Sequence, residues 1–214
     1  MRLVVIGASG NVGRWAAAIA AGAGHAVTAV IRPASVSQLT NVAVARGDVT
    51  DPAFLGLVLR DCEAVISCVG IRRAGRSPFA RLLSPPDLTT RLASALTRAM
   101  DSRGVRRLVV ISAAGVADSF GQLTWPVRQL VSMGNIGVAY RDLAGMESRL
   151  AASSLDWLAV RPVTLVNGAP LGRARPVQRY GLTSVVRRAD VAAWMVREAT
   201  RYECFNEHAV LLGS

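Results

Sequence analysis

The chain contains no lysine: all 25 of its basic residues are arginine. That absence removes every mechanism that needs a lysine, whether as a Schiff-base nucleophile or as the partner that depresses a tyrosine pKa. Cysteine is scarce too. Cys62, Cys68 and Cys204 are an odd number with no CxxC pair, so neither a disulfide framework nor a metal site is indicated, and all three are expected as buried, reduced side chains. The two histidines, His25 and His208, stand apart and receive no role. No apolar run approaches the roughly 20 residues that span a bilayer. The opening MRLVVIGASG also lacks the regions of a signal peptide. A cytoplasmic protein with no membrane partner is expected, in one domain over residues 1–214, long enough to bury a core.

Acidic residues are few, 14 against 25 arginines, which leaves a formal charge of +11. Such a balance steers proteins toward phosphates. The arginines are nevertheless spread from Arg2 to Arg201, with one dense group at Arg72, Arg73, Arg76 and Arg81, and no nucleic-acid-binding motif accompanies them. No nucleic-acid partner is expected. Arginine without lysine, beside abundant alanine and valine, points instead to GC-rich codons.

Short β-branched runs alternate with longer alanine-rich segments of helical period, the pattern of βαβ units and a parallel sheet. Strands are predicted at Arg2 to Ile6, Ala26 to Ile31, Val42 to Arg46, Ala64 to Cys68, Arg107 to Ser112 and Trp157 to Arg161. Helices are predicted at Asn11 to Ala21, Pro52 to Leu59, Leu88 to Arg103, Val138 to Ala152 and Asp190 to Thr200, and His208 to Leu212 reads as a short edge strand. The fold class is α/β, a Rossmann-type doubly wound parallel sheet of six to seven strands with helices on both faces. Ligands in such sheets lie beyond the carboxyl ends of the strands. Two long connections, about 71–87 and 115–137, are the expected substrate loops.

The stretch Gly7 to Gly13, GASGNVG, follows an apolar strand and opens a helix. Glycines at its first, fourth and seventh places, Gly7, Gly10 and Gly13, let the backbone turn off a strand, approach a pyrophosphate and start a helix whose amides face that anion. Ser9 adds a hydroxyl, and Asn11 and Val12 stand at the helix start. About 20 residues further on, where a ribose belongs, the chain reads AVIRPAS and offers Arg32 instead of a carboxylate. Arginine grips a 2′-phosphate that Asp or Glu would repel, so NADP(H) is preferred over NAD(H), with Ser35 or Ser37 assisting. GDVTD ends the third strand. Asp48 and the backbone of Val49 border the adenine there, while Thr50 or Asp51 reads equally well as a helix cap.

Taken together, GASGNVG, VIRP, GDVTD, AVISCVG, VRRLVVISAAG, LAASSLDWLAVRP and RRADVAAWM resemble, in order and over the whole chain, the atypical short-chain dehydrogenases/reductases. Their glycine motif is GA(S/T)GxxG, and the motifs fall in the order seen in NmrA-like and biliverdin-IXβ (flavin) reductase-like proteins. The resemblance implies that Cys68, Val69 and Gly70 lie under the cofactor and that Ser112 lies near the nicotinamide. It implies also that Arg161 and Pro162 belong to the cofactor-binding set, and that Asp190 caps a helix.

Conventional members protonate a carbonyl through a tyrosine four residues before a lysine. Here the residue four after Tyr140 is Ala144, and Arg141 points about 100° away around the helix. Tyr140 and Ser112 are the candidate catalytic hydroxyls, with Glu147 as an orienting group. Flavins, quinones and conjugated tetrapyrroles accept a hydride with the charge delocalised and need no such pair. The expected function is an NADPH-dependent reductase of a small conjugated acceptor such as a flavin, quinone or enone. The alternative is a non-catalytic NADP-sensing regulatory protein of the NmrA-like type. Epimerase or dehydratase chemistry leans on the missing pair, and Arg72, Arg73 and Arg76 read as a solvated loop, with attraction of an acidic or phosphorylated substrate as the alternative.

Overall fold

The computed structural model describes residues 1–35, 39–75, 77–122, 125–181 and 183–214. Strand and helix alternate except between β2 and β3: β1 (Arg2–Ile6), α1 (Gly13–Gly22), β2 (Ala26–Ile31), β3 (Ala43–Arg46), α2 (Pro52–Val58), β4 (Ala64–Ser67), α3 (Leu88–Arg103) and β5 (Arg107–Ile111). A 3-10 turn (Ala117–Gln122) and α4 (Trp125–Met133) lead into α5 (Asn135–Ala151) and β6 (Asp156–Pro162). Then come β7 (Thr164–Val166), β8 (Arg175–Pro176), β9 (Val185–Arg187), α6 (Arg188–Thr200) and β10 (Ala209–Gly213).

The main sheet runs β3-β2-β1-β4-β5-β6-β10-β8, parallel except for β8, while β7 and β9 pair separately. Winding outward from β1 in both directions places a crevice beyond β1 and β4, where the order reverses. A parallel strand covered on both faces reads as an unbroken apolar run. β1 shows why: Leu3 and Val5 pack with α1 and α6, while Val4 and Ile6 pack with α2, α3 and α5. Successive side chains of one strand thus feed two cores.

Three expectations need correction. The sheet has eight strands, because β10 is not an edge: β8 pairs antiparallel to it, Leu212 opposite Pro176 and Gly213 opposite Arg175. A two-residue strand has no periodicity to read, and Pro176 suits an edge because it lacks an N–H to leave unpaired. The connection 115–137 is helical in much of its described part, and α5 begins at Asn135, three residues before the expected Val138. Cys204 is exposed, whereas Cys62 and Cys68 are half-buried. His208 is structural: its ring stacks on Trp157 at 4.9 Å.

The face that carries α3 and α5 depends on a residue without an obvious sequence signal. Asp87, at the N-cap of α3, makes no side-chain cap. Instead the buried carboxylate of Asp142, on α5, accepts from the Thr89 amide at 2.8 Å, the Thr89 hydroxyl at 2.7 Å and the Thr90 amide at 2.9 Å. One helix is capped by another. Gly145 makes that approach possible, since a Cβ there would lie 2.5 Å from Thr90 Oγ1. Replacing Asp142 by alanine strands two buried donors and one half-buried donor, and urea unfolding should show a loss of about 2–4 kcal/mol. Asp142→Asn, which keeps part of the cap, should lose about half as much.

Candidate functional site

The glycine loop is built by three different constraints. Gly7 has φ +78°, in the left-handed region, and its amide and that of Ala8 both donate to the Val30 carbonyl, at 3.0 and 3.2 Å. Gly10 donates to the Gly7 carbonyl at 2.9 Å. At Gly13 a Cβ would sit 2.2 Å from that same carbonyl oxygen, so α1 starts hard against the turn only because Gly13 has no side chain. Val12, at the N-cap, provides no side-chain cap, and the first turn holds no acidic residue. The positive end of α1 is therefore uncompensated by the chain itself, which suits an anion.

Two adjoining cavities, of about 820 and 540 Å³, meet at this loop and share Ser9, Gly10, Arg32, Cys68, Val69, Gly70 and Arg72. The first also takes in Gly7, Ser35, Asp48 and Val49. The second continues past Asn11 and Val12 to Ile111, Ser112, Leu143, Leu165 and Arg188. Twelve of the expected site residues thus gather along one cleft. Gly13 lies just behind it, under Gly7. Arg161, Pro162 and Tyr140 do not line either cavity. Ser37 and Arg76 lie outside the described residues.

Asp48 holds its carboxyl below the ordinary range because the backbone and hydroxyl of Thr50 both donate to it, each at 2.8 Å. Asp51, not Thr50, caps α2, accepting from the Ala53 amide at 2.9 Å. Burial pushes the Cys68 thiol up to about 12, so the sulfur under the glycine loop is not a nucleophile. Arg73 donates to the Ser77 carbonyl at 2.7 Å, and Arg188 to Asn167 Oδ1 at 2.8 Å.

Behind the second cavity lies a buried polar network. The Ser112 hydroxyl donates to Glu147 Oε1 at 2.6 Å, and Arg161 grips both oxygens of that carboxylate, Nε on Oε1 at 3.1 Å and Nη2 on Oε2. Its Nη1 pairs with Asp118 at 2.7 Å. Burial works to lower the Arg161 pKa, but the hydrogen bonds and charges of Glu147 and Asp118 outweigh it and raise the value. Arg161 is thus committed inside the protein. Its sequence context, one arginine ending an apolar strand, carried no sign of that commitment.

Tyr140 is half-buried on α5, its phenol raised by burial while Arg73 pulls the other way. Sequence reasoning passed over its neighbour Tyr180, pushed up to about 12 by burial and then by Tyr140. The Tyr180 hydroxyl is buried without a hydrogen-bond partner among the described residues. Asp190 differs from expectation: Arg187 is the N-cap of α6, and Asp190, buried in the first turn, accepts from the amides of Leu171 and Gly172 at 2.7 and 2.9 Å. It fastens the loop after β7 to the helix. Among the described residues no cluster of three or more His, Cys, Asp or Glu is arranged for a metal.

The profile of a family described as NAD(P)H-binding matches residues 7–201, from the first glycine of the loop to the end of α6. Among solved structures, the chain is similar to ChuY, an anaerobillin reductase from Escherichia coli O157:H7, at 25% identity, covering 99% of this chain and 96% of that one with TM-score 0.76. It is also similar to a putative exported protein from Burkholderia pseudomallei, at 27% identity over 100% of both chains with TM-score 0.71. At the level of fold it matches a wide-type short-chain dehydrogenase/reductase from Veillonella parvula DSM 2008 in complex with NADP, 16% identical, covering 100% of this chain and 94% of that one with TM-score 0.74. No curated protein sequence matches the chain. The glycine loop, the cleft beyond β1 and β4, and the profile match over nearly the whole length place the chain in the NAD(P)H-binding family.

Proposed function

We propose that the chain is a cytoplasmic NADPH-dependent reductase acting on a small, flat conjugated acceptor, a flavin, quinone or enone-like compound, without a Tyr-x-x-x-Lys pair. The observation that carries this reading is Arg32, which follows β2 and borders both halves of the cleft at the place where an NAD site would offer a carboxylate. Its fork suits a 2′-phosphate, and Ser35 lines the same cavity. The residues present fit the cofactor. Gly10 lines the cleft where a pyrophosphate would lie, Gly13 lets α1 start hard against Gly7 so that its amides face that place, and Asp48 and Val49 border the adenine end.

When bound, the cofactor supplies the hydride. The protein's part is position and dryness: Val12, Ile111, Leu143 and Leu165 make apolar walls in the second cavity, and Cys68 to Gly70 border both cavities. A conjugated acceptor spreads the added charge over its π system and takes its proton from solvent. A keto or enone acceptor would need a side-chain donor, and the candidate phenol, Tyr140, lies half-buried on α5 outside the lining of both cavities, its pKa raised by burial while Arg73 pulls the other way. The likeness to ChuY, an anaerobillin reductase, supports reductase chemistry. No described helix is long and apolar enough to cross a membrane. The missing pair also supports a second reading, an NADP-sensing regulatory protein.

The test is NADPH oxidation with FMN, a quinone series and small enones. Turnover with at least one acceptor is expected, whereas normal cofactor binding with no turnover across the panel leaves the sensor. For Arg32→Ala, KM for NADPH should rise about 10- to 100-fold, since a charged hydrogen-bonded contact is worth about 1.5–3 kcal/mol. KM for NADH should stay within about twofold. An equal loss for both cofactors would remove Arg32 from the 2′-phosphate.

A further inference from the structure

Three elements that are far apart in the sequence meet at one buried carboxylate. Ser112 follows β5, Arg161 stands near the end of β6, and Glu147 projects from α5 between them. The three are 7%, 6% and 6% exposed, so no bulk water competes for their protons. A guanidinium has five donors and no acceptor. By gripping Oε1 and Oε2 together, Arg161 makes both oxygens of Glu147 acceptors. The Ser112 hydroxyl, 2.6 Å from Oε1, then has a single arrangement available: its one proton points to Glu147. Ser112 is held from its backbone side as well, its amide donating to the Val160 carbonyl at 2.7 Å.

What Ser112 presents to the cleft, which it lines beside Ile111 and Leu143, is therefore oxygen lone pairs and not a proton. We propose that Ser112 is a positioning residue rather than an acid, a hydrogen-bond acceptor for the carboxamide N–H of the nicotinamide, locked in that sense by Glu147 and Arg161. An unlocked serine hydroxyl rotates to suit either a donor or an acceptor. The glutamate and arginine remove that choice, and with it the freedom of the carboxamide to flip and present the ring in a second orientation. Asp118 extends the lock to the surface: its side chain is 81% exposed, it pairs with Arg161, and it lies in the 3-10 turn that opens the connection between β5 and α5. This proposal rests on the NADPH reading above, and its test keeps the two separable.

Calorimetric Kd values are measured for wild type, Ser112→Ala and Ser112→Thr with three ligands. These are NADPH, its 3-acetylpyridine analogue, which keeps the carbonyl but has no N–H to donate, and 2′-phospho-ADP-ribose, which has no ring. The ringless ligand should bind all three proteins alike, within about twofold. If wild type does not bind it, the NADPH reading fails and this inference falls with it. Wild type should prefer NADPH over the analogue by about five- to tenfold, the size of one net hydrogen bond. Ser112→Ala should abolish that preference by weakening NADPH alone, and Ser112→Thr should restore it. If instead wild type binds the analogue as tightly as NADPH, and Ser112→Ala weakens both equally, Ser112 is a donor to the carbonyl and the proposal is overturned. Glu147→Gln gives a second reading of the lock. A carboxamide there can donate to Ser112 and occupy the lone pair, so the preference should disappear while 2′-phospho-ADP-ribose binding stays unchanged. Retention of the preference in a folded Glu147→Gln protein removes Glu147 from the device.

Discussion

The contact between Gly13 and the carbonyl of Gly7 is the constraint on which the rest of this molecule depends. A methyl at Gly13 would lie 2.2 Å from that oxygen, nearer than any real side-chain carbon comes. With hydrogen there, α1 starts directly behind the turn off β1, its positive end meets the crevice between β1 and β4, and its alanine face, Ala16, Ala17 and Ala20, seats against the sheet beside α6. Shift α1 outward and both the anion-binding end and half of the core on that face move with it. The loop's other glycines serve the same junction: Gly7 for its left-handed backbone, Gly10 for its bond back to Gly7.

On the opposite face the organising element is α5, which carries two buried carboxylates with different duties. Asp142 and Glu147 are five positions apart, about 140° around the helix, so they leave it in different directions. Asp142 turns to α3 and satisfies that helix's first amides, while Glu147 turns to the sheet and takes Ser112 and Arg161. Burying a carboxylate is costly unless every lone pair is met. Each accepts three hydrogen bonds, all from partners on other elements. α5 therefore joins packing and chemistry: the same helix that fixes α3 also fixes the hydroxyl that closes the second cavity.

A chain without lysine also places its positive charge differently. Arg32, Arg72 and Arg188 border the cleft and Asp48 is the carboxylate facing them among its lining residues, so the cleft favours an anionic ligand before any specific contact forms. Arginine holds its charge in environments that would neutralise lysine. That property lets Arg161 serve as a buried, permanently charged clamp within 3.1 Å of Glu147.

The lining of the cleft around the glycine loop was legible in the sequence because its signals are local. A glycine loop, the strand that precedes it, an arginine at the next strand end and the GDVTD turn each lie within a few consecutive residues, where backbone geometry leaves a mark on residue choice. The alternation of β-branched runs and alanine-rich segments exposed the sheet for the same reason. What stayed hidden was every feature whose partner is distant. Asp142 caps a helix more than 50 positions away, Asp190 holds a loop and not its own helix, β8 is two residues long, and Arg161 answers to Glu147 and Asp118 and not to the cleft. Sequence alone determined the fold class, the nucleotide loop and the exclusion of any lysine chemistry, since these follow from local conformation and composition. Only the tertiary structure decided which buried carboxylate meets which donor, and therefore which way the Ser112 proton points, because those choices depend on surfaces that come together only when the sheet is wound.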